Sequence, residues 1–273
     1  MSALIAAGDL GTELERGTVL VLDVQFSLTG DGPRLYATGH VPGAPFVDLD
    51  AVLAGPPGVG GRHPLPDPEV LEAGLRAAGV DDDSSVVVYD QQSSLAAARA
   101  WWTLRWAGLR DVRVLDGGLA AWRAAGGGIS TEPVAPPPGS VTVRPDSLPV
   151  LDASQAAARA RDGVLVDARA QERFRGESEP IDPVAGHIPA AVNVPMGDLL
   201  TDDGRLRPVD ELRRRFAEAG VDGSARVGTY CGSGVTAAHT ALALHELGIE
   251  AHVYAGSWSQ WVTDPGRPVA RGA

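Results

Sequence analysis

The chain carries one succession of segments twice, and this internal repeat limits its fold more than any other feature. Segment 78–90, AGVDDDSSVVVYD, matches segment 219–231, AGVDGSARVGTYC, at a constant offset. Gly39-His40-Val41-Pro42 reappears as Gly186-His187-Ile188-Pro189. A repeat this long indicates two tandem globular domains, because the units of a solenoid are only about 20–50 residues long.

Within each copy, short β-branched runs alternate with helical patterns. Asp67 and Pro68 begin one helix that stops before Gly79, and the helix after Pro208 stops before Gly220 in the same way. This alternation predicts an α/β fold in which each domain is a mainly parallel sheet flanked by helices. Glycine and proline runs then separate the copies. The predicted boundaries are 1–128 for the first domain, 129–145 for a linker and 146–273 for the second domain.

Composition and charge restrict the partners. The chain has 273 residues, of which 44% are hydrophobic, with a formal net charge of −12. Such an acidic chain is expected to bind neither nucleic acid nor an anionic membrane, although a local field can still attract a small anionic substrate. The sequence shows no signal peptide and no apolar window long enough for a transmembrane helix. We expect neither a metal site nor a cofactor, because metal-ligand spacing is lacking.

Cys231 is the single cysteine and the strongest candidate for a functional residue. One thiol forms no internal disulfide, which predicts a reducing cytoplasmic location. The cysteine follows the apolar β-type segment 225–230 and precedes the apolar helical segment 236–247. At such a strand-to-helix turn, backbone N–H groups and a helix N-terminus stabilise a thiolate. Gly232 and Gly234 let the backbone curl around whatever the sulfur carries.

The first copy has Asp90 where the second has Cys231. A carboxylate forms neither a persulfide nor a thioester, so the first domain is expected to be catalytically inactive. Asp90 is then either a catalytic acid of a second site or a solvated loop or cap carboxylate. His40 and His187 occur in both copies, including the copy without a thiol, and this predicts structural roles for them.

Taken together, these features resemble the two-domain rhodanese family of sulfurtransferases. The features are the tandem domains, Asp90 opposite Cys231, the Gly-His-[Val/Ile]-Pro segments and the loop Cys-Gly-Ser-Gly-Val-Thr. The loop is similar to that of the 3-mercaptopyruvate sulfurtransferase branch. The resemblance implies a transferase that takes sulfur from a donor as a Cys231 persulfide and passes it to a thiol or to cyanide. It implies substrate binding by the loop residues Gly232, Gly234, Val235 and Thr236.

Loop charge favours 3-mercaptopyruvate as the donor. Thiosulfate-type members resemble Cys-Arg-Lys-Gly here, whereas Gly232 and Ser233 leave this loop neutral, with no basic side chain adjacent to the thiol. Two alternatives stay open: a thiosulfate sulfurtransferase, rhodanese proper, and a non-catalytic sulfur-carrier or binding module. A cysteine phosphatase is rejected because Ala237 stands where a phosphate-binding arginine is needed.

The resemblance implies further site residues. A Ser-His-Asp set of the mercaptopyruvate branch matches Ser233, His63 and Asp50, the last two from the first domain. Such a set relays a proton to the enolate that C–S cleavage leaves. The expected partners are a small anionic sulfur donor and a thiol acceptor, for which the family indicates a thioredoxin-like dithiol.

A carboxylate-binding arginine is also implied. Arg173 matches one substrate arginine of the family, and its planar guanidinium suits a carboxylate. Ile181 occupies the place of a second arginine, and this departure weakens the expected clamp. Arg175 is either a substitute for that arginine or a solvated or salt-bridged residue.

Overall fold

The computed structural model describes residues 2–27 and 29–272, and these form two compact units. The first unit comprises residues 1–55, 66–148 and 202–206. The second comprises residues 56–65, 149–201 and 207–273. Two segments therefore depart from the ranges predicted from the sequence: 56–65 packs with the second unit and 202–206 with the first.

The first unit is built on a parallel sheet with the strand order β1-β4-β3-β2. Its strands are β1 (Leu4–Ile5), β2 (Leu20–Asp23), β3 (Val86–Tyr89) and β4 (Val112–Leu115). Its helices are α1 (Ala7–Arg16), α2 (Gly32–Thr38), α3 (Pro68–Ala77), α4 (Leu95–Trp106) and α5 (Gly118–Ala124), with a π-helical turn at Leu49–Leu53. The inner strand β3 is buried along its whole length, as expected for an apolar strand covered on both faces.

The second unit repeats this arrangement with the order β6-β5-β7-β8. Its strands are β5 (Val164–Asp167), β6 (Val192–Asn193), β7 (Val227–Tyr230) and β8 (Ala251–Val253). Its helices are α6 (Ala153–Asp162), α7 (Gln171–Arg175), α8 (Val209–Glu218), α9 (Val235–Glu246) and α10 (Ser257–Trp261), with a 3₁₀ turn at Met196–Leu199. A parallel bridge joins Val150 to Val253, where β1 lies beside β4 in the first unit. The predicted α/β class, with one parallel sheet in each domain, is confirmed.

Local sequence accounts for where the helices begin. The Asp67 carboxylate accepts a hydrogen bond from the Glu69 N–H and caps α3, in which Pro68 is the first residue. Asp152 and Gln155 form a reciprocal capping box at the start of α6. The helices α4 and α9 follow the inner strands β3 and β7 and are buried on most sides, in keeping with their alanine-rich sequences.

Each unit has its own apolar core. Val87, Tyr89, Leu115 and Trp122 belong to the core of the first unit, and Leu165, Tyr230, Tyr254 and Trp258 belong to that of the second. Within residues 2–27 and 29–272, no helix has the length and hydropathy needed to cross a bilayer.

Candidate active site

Cys231 lies directly after β7, at the carboxyl edge of the second sheet, and its residue is only 1% exposed. The sulfur accepts hydrogen bonds from the backbone N–H groups of Gly234 at 3.1 Å and Ser233 at 3.4 Å. Gly234 is the N-cap of α9 and has a φ of 85°, a left-handed conformation that favours glycine. The thiol therefore sits at the positive end of a helix, where backbone donors stabilise a negative charge.

The first turn of α10 also supports the cysteine. The Ser257 hydroxyl accepts a hydrogen bond from the Cys231 N–H at 3.1 Å and donates one to the Tyr254 carbonyl. The N–H groups of Trp258 and Ser259 donate to the carbonyls of Cys231 and Gly232. These bonds fix the backbone of the nucleophile, so its amides keep their positions without a ligand.

Ser233 and His63 are in direct contact. The Nδ1 atom of His63 lies 2.8 Å from the Ser233 hydroxyl, while the backbone N–H of Ser233 points at the Cys231 sulfur. One residue thus contacts the nucleophile through its main chain and a histidine through its side chain. Asp50 belongs to the first unit, where burial and the neighbouring Asp48 raise the pKa of its carboxyl group, and its part in the set stays a prediction.

A tight turn in segment 56–65 positions His63 at this site. Gly58 and Gly61 exchange two backbone hydrogen bonds, at 2.9 and 3.0 Å. Gly61 has a φ of 105°, and a Cβ atom there would lie 2.7 Å from the Gly256 carbonyl oxygen. The N–H of the next residue, Arg62, donates to the Ser259 hydroxyl. The segment is therefore anchored on the loop and helix that support Cys231.

Two guanidinium groups lie against Gly232. The Nη2 atom of Arg62 is 2.9 Å from the point that a Cβ on Gly232 would occupy, and the Arg173 Nη atoms are 3.5 and 3.6 Å from that point. The loop sequence itself has no basic side chain, yet two guanidinium groups lie beside the residue that follows Cys231. The positive charge comes from residues that are distant in the sequence.

Buried carboxylates hold both arginines in place. Asp182 forms ion pairs with Arg62 and, at 3.2 Å, with Arg173. Glu179 binds Arg173 at 2.6 Å and the buried Arg169 at 3.3 Å. Burial opposes ionisation of Glu179, yet the hydrogen bond from Arg173 keeps its pKa below the ordinary value. Both carboxyl side chains are only 3% exposed, so the geometry of the two guanidinium groups is set before any substrate arrives.

The first unit contains a carboxylate in the equivalent position. One oxygen of Asp90 accepts hydrogen bonds from the N–H groups of Gln92 and Ser94, and the other accepts from Ala96 and Ala97. Burial raises the pKa of Asp90, although these four donors act in the opposite direction. Asp90 is 2% exposed, so the expectation of a solvated carboxylate was wrong and that of a capping carboxylate was correct.

The repeated histidines have matching surroundings in the two units. The His40 ring stacks on Tyr36, and its Nδ1 contacts the Tyr36 carbonyl at 3.0 Å. The His187 ring stacks on Phe174, and its Nδ1 contacts the Phe174 carbonyl at 2.8 Å. Both rings therefore pack against a neighbouring helix, which agrees with the structural roles predicted for them.

A family model for the rhodanese-like domain matches the chain twice, at residues 6–125 and 152–264. The chain belongs to the rhodanese family. Within the described residues, no group of three or more His, Cys, Asp or Glu side chains is placed to hold a metal ion.

Several relatives of the rhodanese family align with nearly the whole chain. A putative thiosulfate sulfurtransferase, SseB, from Mycobacterium tuberculosis is 48% identical over 98% of this chain and 97% of its own. A probable 3-mercaptopyruvate sulfurtransferase from Pseudomonas aeruginosa is 48% identical over 98% of both chains. The crystal structure of SseA from Escherichia coli, described with the 3-mercaptopyruvate sulfotransferases, superposes with a TM-score of 0.83 at 32% identity. That match covers 95% of this chain and all of the other.

Sequence reasoning missed Arg62, Glu179 and Asp182. A signal for Arg62 was present, because it directly precedes His63, which was already expected to reach Ser233. Glu179 and Asp182 lie on either side of Ile181, whose identity was examined only as a missing arginine. Their carboxylates matter because they orient two cations, and that function depends on contacts between distant segments.

Proposed function

We propose that this rhodanese is a 3-mercaptopyruvate sulfurtransferase that transfers sulfur through a persulfide on Cys231. The single observation that carries the donor assignment is the 2.8 Å contact between His63 and Ser233 beside the nucleophile. Thiosulfate leaves as sulfite after sulfur transfer and needs no proton on carbon. Mercaptopyruvate leaves as an enolate, for which a positioned proton donor is useful.

In the first half-reaction, the Cys231 thiolate attacks the sulfur atom of mercaptopyruvate. The new S–S bond forms as the C–S bond breaks, and the bonding pair of electrons passes to the three-carbon fragment. The resulting enolate takes a proton from the Ser233 hydroxyl, which His63 replenishes, and leaves as pyruvate. Asp50 is proposed to act on His63 in this relay. The Ser233 and Gly234 amides that contact the thiolate also suit the persulfide anion.

In the second half-reaction, an acceptor thiolate attacks the outer sulfur and releases the Cys231 thiolate. The loop residues Gly232, Val235 and Thr236 are proposed to border the transferred sulfur, and Arg173 to bind the donor carboxylate. We propose a thioredoxin-like dithiol as the acceptor and the cytoplasm as the location, where a single thiol stays reduced. The kinetics should be ping-pong.

A second candidate donor is thiosulfate. The observation that favours it is the pair of guanidinium groups of Arg62 and Arg173 against Gly232, since two cations suit a dianion. Thiosulfate-type members carry positive charge within the cysteine loop itself. In this chain the positive charge comes instead from Arg62 and Arg173, which belong to other segments.

The deciding experiment compares kcat/KM for 3-mercaptopyruvate and thiosulfate, with cyanide as acceptor, on one preparation. We expect mercaptopyruvate to be preferred and the enzyme to gain one sulfur atom in the absence of acceptor. Cys231→Ser should lose both activities and the added sulfur. A thiosulfate preference above about tenfold would overturn the donor assignment. Absence of turnover with every donor would favour the non-catalytic carrier module.

A further inference from the structure

We propose that an apolar rim beside the nucleophile is the docking surface for a protein that accepts the sulfur through a cysteine thiolate. This proposal rests on the proposed sulfur transfer from Cys231 and extends it to the surface that the acceptor covers. The rim consists of exposed, uncharged residues from two short segments of the second unit: Pro56, Pro57, Val59, Pro180, Ile181 and Pro183.

Val59 and Ile181 are the large hydrophobic side chains of this rim. Val59 is 89% exposed and Ile181 is 46% exposed. A single exposed hydrophobic residue is common on a protein surface, but each of these segments also exposes two prolines. The one charged residue of segment 180–183, Asp182, is buried in an ion pair. The exposed part of both segments is therefore uncharged, in a chain whose net charge is −12.

The segment that contains Val59 is connected to the nucleophile by a short series of contacts. Two backbone hydrogen bonds close the turn around Val59. Further along the same segment, the Arg62 N–H donates to the Ser259 hydroxyl, and the Ser259 N–H donates to the Gly232 carbonyl. Gly232 directly follows Cys231, so this part of the rim is held on the backbone of the cysteine loop.

Ile181 belongs to the same neighbourhood. Its backbone N–H and that of Asp182 donate to one oxygen of Glu179, each at 3.2 Å. The Asp182 carboxylate then forms an ion pair with Arg62, and this pair links the two segments of the rim. Hydrogen bonds therefore fix the backbone on both sides. A surface that is ordered before binding loses little conformational entropy when a partner docks.

The burial of Cys231 defines the kind of partner. Its residue is only 1% exposed, so an acceptor cysteine can reach it only if the surface around that cysteine contacts the residues around the nucleophile. An uncharged apolar rim fits a partner whose cysteine lies in an uncharged apolar surface. The side chains of Arg62 and Arg173 are 29% and 16% exposed, and their positive charge suits an incoming thiolate. A small acceptor needs no contact with the rim.

The test compares a protein dithiol with a small dithiol in the second half-reaction alone. Enzyme loaded with one sulfur, from whichever donor the wild type uses, is mixed with reduced thioredoxin or with dithiothreitol. In both cases the first thiolate attacks the outer sulfur and releases the Cys231 thiolate. The second thiolate then forms a disulfide and expels hydrosulfide, which is measured. The two acceptors undergo the same chemistry, and only thioredoxin brings a protein surface to the rim.

We expect Val59→Ser combined with Ile181→Ser to lower the second-order rate constant for thioredoxin about 10-fold, because the apolar contacts of both side chains with the partner are lost. The rate constant for dithiothreitol should stay within about twofold of the wild-type value. Val59→Ile keeps an apolar side chain and should retain the thioredoxin rate constant. Val209→Ser is the matched control and should change neither rate constant, since Val209 is 42% exposed in the same unit but lies on α8, outside the rim.

Several outcomes would overturn the proposal. Equal losses with both acceptors would show that the two side chains act on the nucleophile and not on a partner. An unchanged thioredoxin rate constant in the double variant would refute the rim, as would a loaded wild-type enzyme that reacts with dithiothreitol but not with thioredoxin. A wild-type dimer in sedimentation that the double variant lacks would assign the rim to contacts between copies of this chain. A wild-type enzyme that gains no sulfur from either donor would instead refute the proposed function itself, so the two failures are distinguishable.

Discussion

The residues around the Cys231 nucleophile make different contacts. Cys231 accepts two amide N–H groups, Ser233 supplies one of those amides together with a hydroxyl, and His63 contacts that hydroxyl. The main chain of Ser233 donates a hydrogen bond to the sulfur, whereas its side chain is proposed to transfer a proton. Because these functions reside in different atoms, a substitution can remove one and leave the other.

Replacing Ser233 with alanine tests this separation. The variant keeps the amide that contacts the sulfur and loses the hydroxyl that is proposed to protonate the enolate. We expect kcat/KM for mercaptopyruvate to fall about 10²- to 10³-fold, whereas thiosulfate turnover should change by less than about fivefold. Steady-state assays with cyanide as acceptor measure both values. Parallel losses with the two donors would show that the hydroxyl acts on the thiolate instead of on the leaving group.

The site residues show where sequence reasoning succeeds and where it stops. Cys231 was predictable because its turn lies between a strand and a helix that are both readable from hydrophobic patterning. Arg173 and Ser233 were identified through the family resemblance. Arg62 was missed because its contact with Gly232 arises only when segment 56–65 folds onto the second unit, and a proline- and glycine-rich segment carries no periodic signal for that contact.

At the scale of elements, segment 56–65 holds Arg62 and His63 in place without a regular helix or strand. Its turn is closed by the Gly58–Gly61 bonds, and its close approach to the loop before α10 requires a residue without a Cβ atom at Gly61. At Gly61 the glycine therefore allows close packing against the Gly256 carbonyl. The segment positions Arg62 and His63 together.

A pair of glycine substitutions tests this packing. Gly61→Ala places a Cβ at 2.7 Å from the Gly256 carbonyl oxygen, in a left-handed conformation that disfavours alanine. We expect kcat/KM for mercaptopyruvate to fall at least tenfold as Arg62 and His63 move. Gly58→Ala, where the added Cβ meets nothing within 4 Å, is the matched control and should keep wild-type activity. Wild-type kinetics in Gly61→Ala would refute the support role.

The positions of the helices and strands could largely be predicted from the sequence. The start of α3 at Pro68 with Asp67 as its cap agrees with the proline and aspartate signals, and α9 begins within one residue of the predicted position. The sequence does not indicate which unit segments 56–65 and 202–206 belong to, because that depends on contacts with residues far away in the chain. Hydrophobic patterning indicates whether a segment is a helix, a strand or a loop. It does not indicate which of the two cores the segment packs against.

At the scale of the whole molecule, one fold occurs twice with two different hydrogen-bond acceptors at the same turn. In the second unit the group is a thiol that accepts two amides, and in the first unit it is a carboxylate that accepts four. The repeat thus preserves a turn whose backbone N–H groups converge on one side-chain acceptor. Asp90 satisfies that backbone permanently and leaves its unit without a nucleophile.

Removing the Asp90 side chain should therefore destabilise the first unit without changing the chemistry of the second. Asp90→Ala leaves buried N–H groups without an acceptor, and we expect a loss of about 3 kcal/mol in its free energy of unfolding. Differential scanning calorimetry measures this loss, and mass spectrometry should still detect one added sulfur in folded protein. Asp83→Ala removes the same charge from an exposed loop and should have no effect on unfolding. An unchanged unfolding temperature in Asp90→Ala would contradict the assignment.

The contrast between Asp90 and Cys231 has a consequence for the thermal stability of the two units. The amides of the turn in the first unit have a permanent acceptor in Asp90, whereas the Cys231 sulfur at the turn of the second unit is proposed to gain and lose a sulfur atom in every catalytic cycle. Ligands that bind only the folded state stabilise it by mass action. We therefore expect a donor analogue bound beside Cys231 to raise the unfolding temperature of the second unit, whereas the turn of the first unit, whose amides Asp90 already occupies, should give no such increase.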